Sequence, residues 1–427
     1  MRHLLCGALL ALALTAPCAA DIVVNSSSGA RDVGGACALR DAIRAVNTMQ
    51  PVGGCPPGRA TETIVLEVAS VELTGPDPDS DNAALPEIAS LRTLTITSRP
   101  GFPAVIRRIP AQPCTPDGVT GPDEFRLLEV RGGLTLSNLS LDGGCADGPS
   151  GSARANGGVV LNRGGVTLDR VVVRGGVART YGGGIMNLPI AGLGLYESTL
   201  EYNAAVSGAG IFNDHGNVYF AHSLARGNRV FADPDGTRPS IGNVLDNRGT
   251  ARFLNSTLTG QFSGGIVEAG TIGSVDDADP APATTLRLEF TTLAFNQGTG
   301  LNLGTRSIVT LANSIVTTGI GGCVGLAPAR TTRHGRNVFT DVNCRDPAYA
   351  GDILANPQLM PLANYGGPTL TMMPLAGSPV TDRAVPCTNG SAVVEYDQRD
   401  ALRPEDGVCD IGAVERPGGG LLSDSFE

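Results

Sequence analysis

The 427-residue sequence contains no lysine and no tryptophan, only 4% aromatic residues and four histidines. All 31 basic residues are therefore arginine, set against 41 acidic ones, for a formal net charge of −10. A nucleic-acid or anionic-membrane binder needs clustered positive charge. This chain has no basic run and the wrong overall sign. It also lacks any C-x-x-C pair, and of His3, His215, His222 and His334 only His334 lies near a cysteine, so no zinc ligand set is expected. Gly-x-Ser-x-Gly and Walker-type loops are missing too, and no cofactor is expected. What is abundant is glycine (58) and proline (29). Helical and α/β enzymes keep these residues out of element interiors, whereas many short strands joined by tight turns use them freely.

The first twenty residues read as an export address. Arg2 gives a positive start, Leu4–Leu14 is an apolar run too short to span a bilayer, and Cys18-Ala19-Ala20 offers small residues for cleavage before Asp21. Pro17 stands where a lipid-anchor signal would carry Ala or Gly. The mature protein is expected to be secreted, periplasmic or at the cell surface, monomeric and without a membrane span. Removing this segment leaves eight cysteines: Cys37, Cys55, Cys114, Cys145, Cys323, Cys344, Cys387 and Cys409. An even number in an exported chain points to disulfides. About 105 connectivities are open to eight cysteines, of which pairing each with its nearest neighbour is the simplest.

A ten-residue phrase recurs seven times, beginning at Leu134, Val166, Leu193, Val218, Ala251, Leu286 and Val309. Positions one and three are apolar and share one face of a strand. Positions four and five, as in Ser137-Asn138 and Ala312-Asn313, mark a corner, and position eight returns an apolar residue to the interior. In the fourth copy Leu224 stands one place early. A second phrase precedes several copies and ends on Asn162, Asn187, Asn213 or Asn247. Its glycines suit a tight bend, and its asparagines, if coils stack, can form a ladder of amide hydrogen bonds. Such a unit buries its apolar face only against copies of itself. The pattern predicts an all-β protein, a right-handed parallel β-helix, the hand following from the parallel-crossover rule. Thr63–Val68 and Leu94–Thr97 read as the first coils. The expected division is a signal peptide (1–20), an N-terminal cap (21–75), coils (76–322), last coils with a C-terminal cap (323–416), and a flexible tail (417–427).

An open stack must be covered at its ends. Leu39, Ile43 and Val46 stand at helical spacing, so a short amphipathic helix is expected over the first coil. The stretch CALRDA (Cys37–Ala42) resembles the CSLREA motif of bacterial exported proteins, with Ala38 and Asp41 as departures. The C-terminal stretches Asn356-Pro357-Gln358-Leu359, Asn364-Tyr365-Gly366-Gly367-Pro368-Thr369, Asp397-Gln398-Arg399, Arg403-Pro404 and Cys409-Asp410-Ile411-Gly412-Ala413-Val414-Glu415 resemble the choice-of-anchor Q domain. Val380-Thr381-Asp382 and Val414 depart from its usual pattern. The resemblance implies a pectate-lyase-like β-helix at the cell surface or beyond it. It implies no reaction.

Glycoside hydrolysis needs two carboxylates suitably spaced, and stacked coils could supply them. Asp142, Asp169, Glu197, Glu201, Asp214 and Glu289 do not fall at one repeat position. The candidate catalytic group is Asp214 and His215 with His222, a carboxylate and imidazoles able to do acid–base work, although Asp214–Asn217 also reads as an ordinary polar turn. β-Elimination needs a base, and arginine stays protonated. Asp276, Asp277 and Asp279 are the candidate metal ligands, for Ca²⁺, in a loop that interrupts the repeat. Two functions follow: a non-catalytic scaffold for adhesion or glycan contact, or a polysaccharide lyase or glycoside hydrolase. The expected partner is an extracellular glycan or another cell-surface component.

Overall fold

The computed structural model describes residues 21–109, 113–262, 270–274, 283–319, 321–404 and 408–417. Residues 1–20, expected from the sequence to be an export segment, Asp276, Asp277, Asp279 and residues 418–427 lie outside the described residues. Among the described residues the chain winds into a parallel β-helix whose coils share three sheets of 20, 8 and 4 strands. A typical coil contributes two strands to the long sheet (Gly192–Tyr196 and Thr199–Glu201), one to the smallest (Ala204–Ala205) and one to the third (Ile211–Asn213). Every pairing between these strands and the neighbouring coils is parallel.

The repeat positions stack in register. Position one runs Leu134, Val166, Leu193, Val218, Ala251, Leu286, Val309 through consecutive coils, all buried. Position eight runs Leu141, Val173, Leu200, Ala225, Leu258, Leu293, Val316. The fourth copy therefore keeps its register with Ala225 inside. Leu224, one place early, is buried on the outer face of its strand, where the C-terminal region covers it. Each such column is continuous with the main core, so a coil's apolar face is sealed by the coils on either side.

Corners are the costly part of this design, because they place backbone amides inside without a sheet partner. Position five adopts left-handed backbone in seven coils, at Asn138, Arg170, Glu197, His222, Asn255, Phe290 and Asn313. Directly after it, hydroxyls reach across coils: Ser198 N–H donates to Ser223 Oγ (3.0 Å), Ser223 N–H to Ser256 Oγ (3.2 Å) and Thr291 N–H to Ser314 Oγ (3.2 Å). At the next corner Asn203 Nδ2 donates to Asn228 Oδ1 (3.0 Å), while Gln261 and Asn296 accept from the backbone of the preceding coil. The third corner holds the expected asparagine ladder: Asn162 to Asn187, Asn187 to Asn213 and Asn213 to Asn247, each at 2.7 Å. The glycine that opens this phrase is required at Gly182, where φ is +67° and a Cβ would stand 2.5 Å from the Ile185 carbonyl oxygen.

Residues 21–75 combine cap and coil. Ile22–Val24, Thr61–Leu66 and Ser70–Leu73 are already strands of the long sheet, so stacking starts well before residue 76. The helix spans Leu39–Thr48 and buries Leu39, Ile43 and Val46 in the main core. Arg40 Nε ties it to the Ala84 carbonyl (2.7 Å) and Asn47 Nδ2 to that of Glu87 (2.8 Å). Four disulfides join Cys37–Cys55, Cys114–Cys145, Cys323–Cys344 and Cys387–Cys409. Each bridge links nearest neighbours in the sequence, and together they fit an oxidising compartment. Among the described residues no helix is long and apolar enough to cross a membrane.

After the last strand, Asp352–Leu354, the chain turns back and lies along the corners of the later coils. Gln398 is buried between them: its Nε2 donates to the Ser223 carbonyl (3.1 Å) and its Oε1 accepts from Thr257 Oγ1 (2.6 Å). Asn313 Nδ2 donates to the Pro386 carbonyl (3.0 Å), and Gly412 N–H to that of Asn313 (2.8 Å).

The asparagine ladder is open to a direct test. Asn213→Ala leaves Asn187 Nδ2 and Asn247 Oδ1 without their buried partner. It should lower stability by about 1–3 kcal/mol in chemical denaturation. An unchanged midpoint would show that the ladder is incidental.

Candidate functional site

The outer face of the long sheet carries the second repeat position, which reads Thr63, Thr95, Thr135, Thr167, Gly194, Tyr219, Arg252, Arg287 down consecutive coils. Along the middle of this face runs an open groove of about 500 Å³, floored by Gly133, Gly165, Gly192 and Gly194 and flanked by Thr135, Thr167, Asn217, Tyr196, Tyr219 and Arg252. Strands and not loops set these positions, so neighbouring side chains repeat at about 4.8 Å. Tyr196 and Tyr219 meet at 5.5 Å between ring centroids, inclined by 63°. The Arg252 guanidinium stands 5.2 Å from the Tyr219 ring centre. Its Nε and Nη2 bond Glu289 Oε2 at 2.8 and 2.6 Å.

Beside this groove the second strands carry a charge ladder. Glu72, Arg107, Asp142, Arg174, Glu201 and Arg226 occupy one column in six consecutive coils with strictly alternating sign. Arg107 bonds Glu72 (2.5 Å), Arg174 bonds Asp142 (2.9 Å) and Arg226 bonds Glu201 (2.6 Å). Asp142 and Glu201 thus share a column, against the expectation from the sequence that the acids do not align, but an arginine stands between them. Asp169 and Glu197 flank Arg170 at 2.8 and 3.3 Å. Carboxylates that are each paired with arginine are poorly suited to act as a general acid and its partner base.

The candidate catalytic residues are divided by the fold. Asp214 Oδ1 contacts His215 Nδ1 at 2.8 Å in the turn that precedes the strand Asn217–Ala221. His222 follows the far end of that strand, about 16 Å away at strand rise. It lies against the C-terminal region, with Nδ1 3.2 Å from Asp400 Oδ1, while its carbonyl accepts from Thr369 Oγ1 (3.3 Å). The structure therefore joins Asp214 with His215 and places His222 against the C-terminal region. Asp276, Asp277 and Asp279 lie outside the described residues. Among the described residues no group of three or more His, Cys, Asp or Glu side chains is placed to hold a metal ion. Sequence reading passed over Gly194, Tyr196, Tyr219 and Arg252. Their signal lies in the outward positions two and four, whose side chains form a column only when the copies are compared with one another.

A second concentration of charge pins the cap. Arg403 is fully buried, with Nη1 bonding Glu415 Oε2 and the Asp410 carbonyl at 3.0 Å and Nη2 the Gly412 carbonyl at 2.7 Å. Its guanidinium sits 4.5 Å over the Phe290 ring of the underlying corner. Burial pushes the Glu415 carboxyl up to about 7, with Arg403 opposing, and the Asp410 carboxyl up to about 6.

No family model and no curated protein sequence matches the chain. Four solved chains match its structure. One is the crystal structure of pectate lyase Pel9A, which shares 13% identity and a TM-score of 0.48 over 83% of this chain and 88% of that one. A likeness at this level bears on neither substrate nor chemistry. The fold itself is that of a disulfide-bridged parallel β-helix with a strapped C-terminal region.

The buried acids fix the sign of a pH effect. Glu415 holds its proton in the native state to a higher pH than its ordinary 4.5. Its favourable contribution is therefore complete below that value and is lost as pH rises through about 7. Glu62 and Asp233 shift downward against their own burial, held ionised by Arg59 and by the Thr237 amide, and act below this window. Melting temperature should fall between about pH 5 and about pH 8, and Glu415→Gln should flatten the fall. An equal slope in the variant would rule out this origin.

Proposed function

We propose that the mature chain is an exported, surface-associated β-helix scaffold that contacts an extracellular glycan along the outer face of its long sheet. The observation that carries this reading is the groove of glycine, threonine and tyrosine beside a column of carboxylates held by arginine. Glycan sites pair flat apolar surface with hydroxyl and amide groups, and the groove offers both. The four disulfides and the apolar run at Leu4–Leu14 support export. Support for a choice-of-anchor Q relationship comes from the places of its motif residues: Gln398, Arg399, Arg403, Asp410 and Glu415 make the contacts that hold the strap. A monomer is the simplest assembly, because the stack supplies its own neighbours.

A second reading, a polysaccharide lyase or glycoside hydrolase, is favoured by one contact, Asp214 with His215. A panel of neutral and acidic polysaccharides distinguishes the two. The expected result is retention of at least one polymer with no release of reducing or unsaturated sugars. Turnover that stops in Asp214→Asn would replace the scaffold reading with the enzymatic one.

A further inference from the structure

We propose that Tyr196, backed by Tyr219 and Arg252, is a stacking subsite for one uncharged pyranose ring. This rests on the glycan-contact reading above and narrows it to one ligand class and one place on the sheet. Three features of the groove carry it.

The first is that the platform is built into the strand. Tyr196 occupies the outward fourth position, and its ring folds back along its own strand over Gly194. A Cβ added at Gly194 would stand 2.8 Å from Tyr196 Cε2 and 3.4 Å from its Oη. Thr167 precedes Gly194 in this column and Tyr219 follows it. A glycine with unstrained strand backbone is here the residue that lets the ring lie down.

The second feature is the support. Tyr219 meets the Tyr196 ring edge-on from the next coil, and Arg252 stacks on Tyr219 from the coil after that. Glu289, buried and bonded to two arginine nitrogens, holds Arg252 in place. A chain of contacts across four coils thus fixes the orientation of one ring. Tyr196 nonetheless remains 40% exposed. Ring CH groups of a sugar stack on such a face, as apolar and weakly positive edges do on any aromatic quadrupole.

Charge is the third. Arg252 meets the groove already neutralised by Glu289, and Asn217 and Thr167 add uncharged polar groups beside the platform. These groups match hydroxyls better than carboxylates, so the geometry points to a neutral pyranoside.

The test uses the full mature chain, with methyl β-glucoside, methyl β-xyloside and methyl α-mannoside as probes in saturation-transfer NMR. Irradiation of aromatic protons should transfer saturation to ring CH protons of at least one probe. Two variants should abolish the transfer with circular dichroism and melting unchanged. Tyr196→Ala removes the ring, and Gly194→Ala displaces it at little cost to the strand. Binding of a neutral polymer that bears one of these sugars should weaken about tenfold or more in both. If the chain retains a polymer but both variants retain it equally, the subsite is overturned and the scaffold reading stands. Retention of polygalacturonate alone, lost on adding salt, overturns the neutral-ligand assignment. If no probe or polymer binds, both readings fall together.

Discussion

Every coil of this protein must turn three corners, and at each corner backbone amides and carbonyls leave the sheet while still inside the molecule. In the middle coils the structure answers this constraint in one way. A short polar side chain from the next coil accepts or donates where the sheet cannot: serine and threonine at the first corner, asparagine and glutamine at the second, asparagine at the third. The answer works only if consecutive coils are in register, since a slip by one residue would replace a polar group with an apolar one. Register, corner chemistry and core packing are therefore one condition. Left-handed backbone at seven non-glycine corners, which costs about 1–2 kcal/mol per residue in isolation, persists because these bonds hold it.

The same stacking turns each outward repeat position into a line of side chains at about 4.8 Å. The chain uses these lines in different ways. One alternates acid and arginine, so that a surface with many charges carries almost no local field. Arginine suits this role because its planar fork keeps its geometry while bonding a carboxylate one strand away, which fits the replacement of all lysine. Another line passes from threonine through glycine to tyrosine and arginine, and is where an open groove forms. A third, at the left-handed corners, is exposed at Arg170 and half-buried at Glu197, and is covered by the C-terminal region from His222 onward. The function proposed for the face thus follows from which line the cap leaves uncovered.

The C-terminal strap couples this geometry to burial. Arg403 and Glu415 are both buried, and the bonds to Gly412, Asp410 and Asn255 restore part of what solvent supplied, Arg403 Nε having no partner. Buried ion pairs of this kind add little net stability over an apolar alternative, but breaking one is expensive. That asymmetry makes them good at fixing where a segment docks.

The stack and its inward columns were legible in the sequence because burial imposes apolar residues at fixed repeat positions, which Leu134 through Val309 display. The asparagine ladder was legible for the same reason, as Asn162, Asn187, Asn213 and Asn247 recur in one phrase. Grouping of surface residues was not. Asp214, His215 and His222 are close in sequence, yet a strand of five residues carries His222 to the other corner and under the cap. Conversely, Tyr196, Tyr219 and Arg252 are separated by 23 and 33 residues in the sequence and meet only because neighbouring coils are in register. The amino-acid order alone determined the period, the inward faces and the corner residues, since these depend on local backbone preference and hydrophobic burial. Which outward side chains became neighbours, and which of them the strap hid, was decided by the variable spacing between repeats and by the path of residues 356–404 and 408–417, and these take effect only once the coils are stacked.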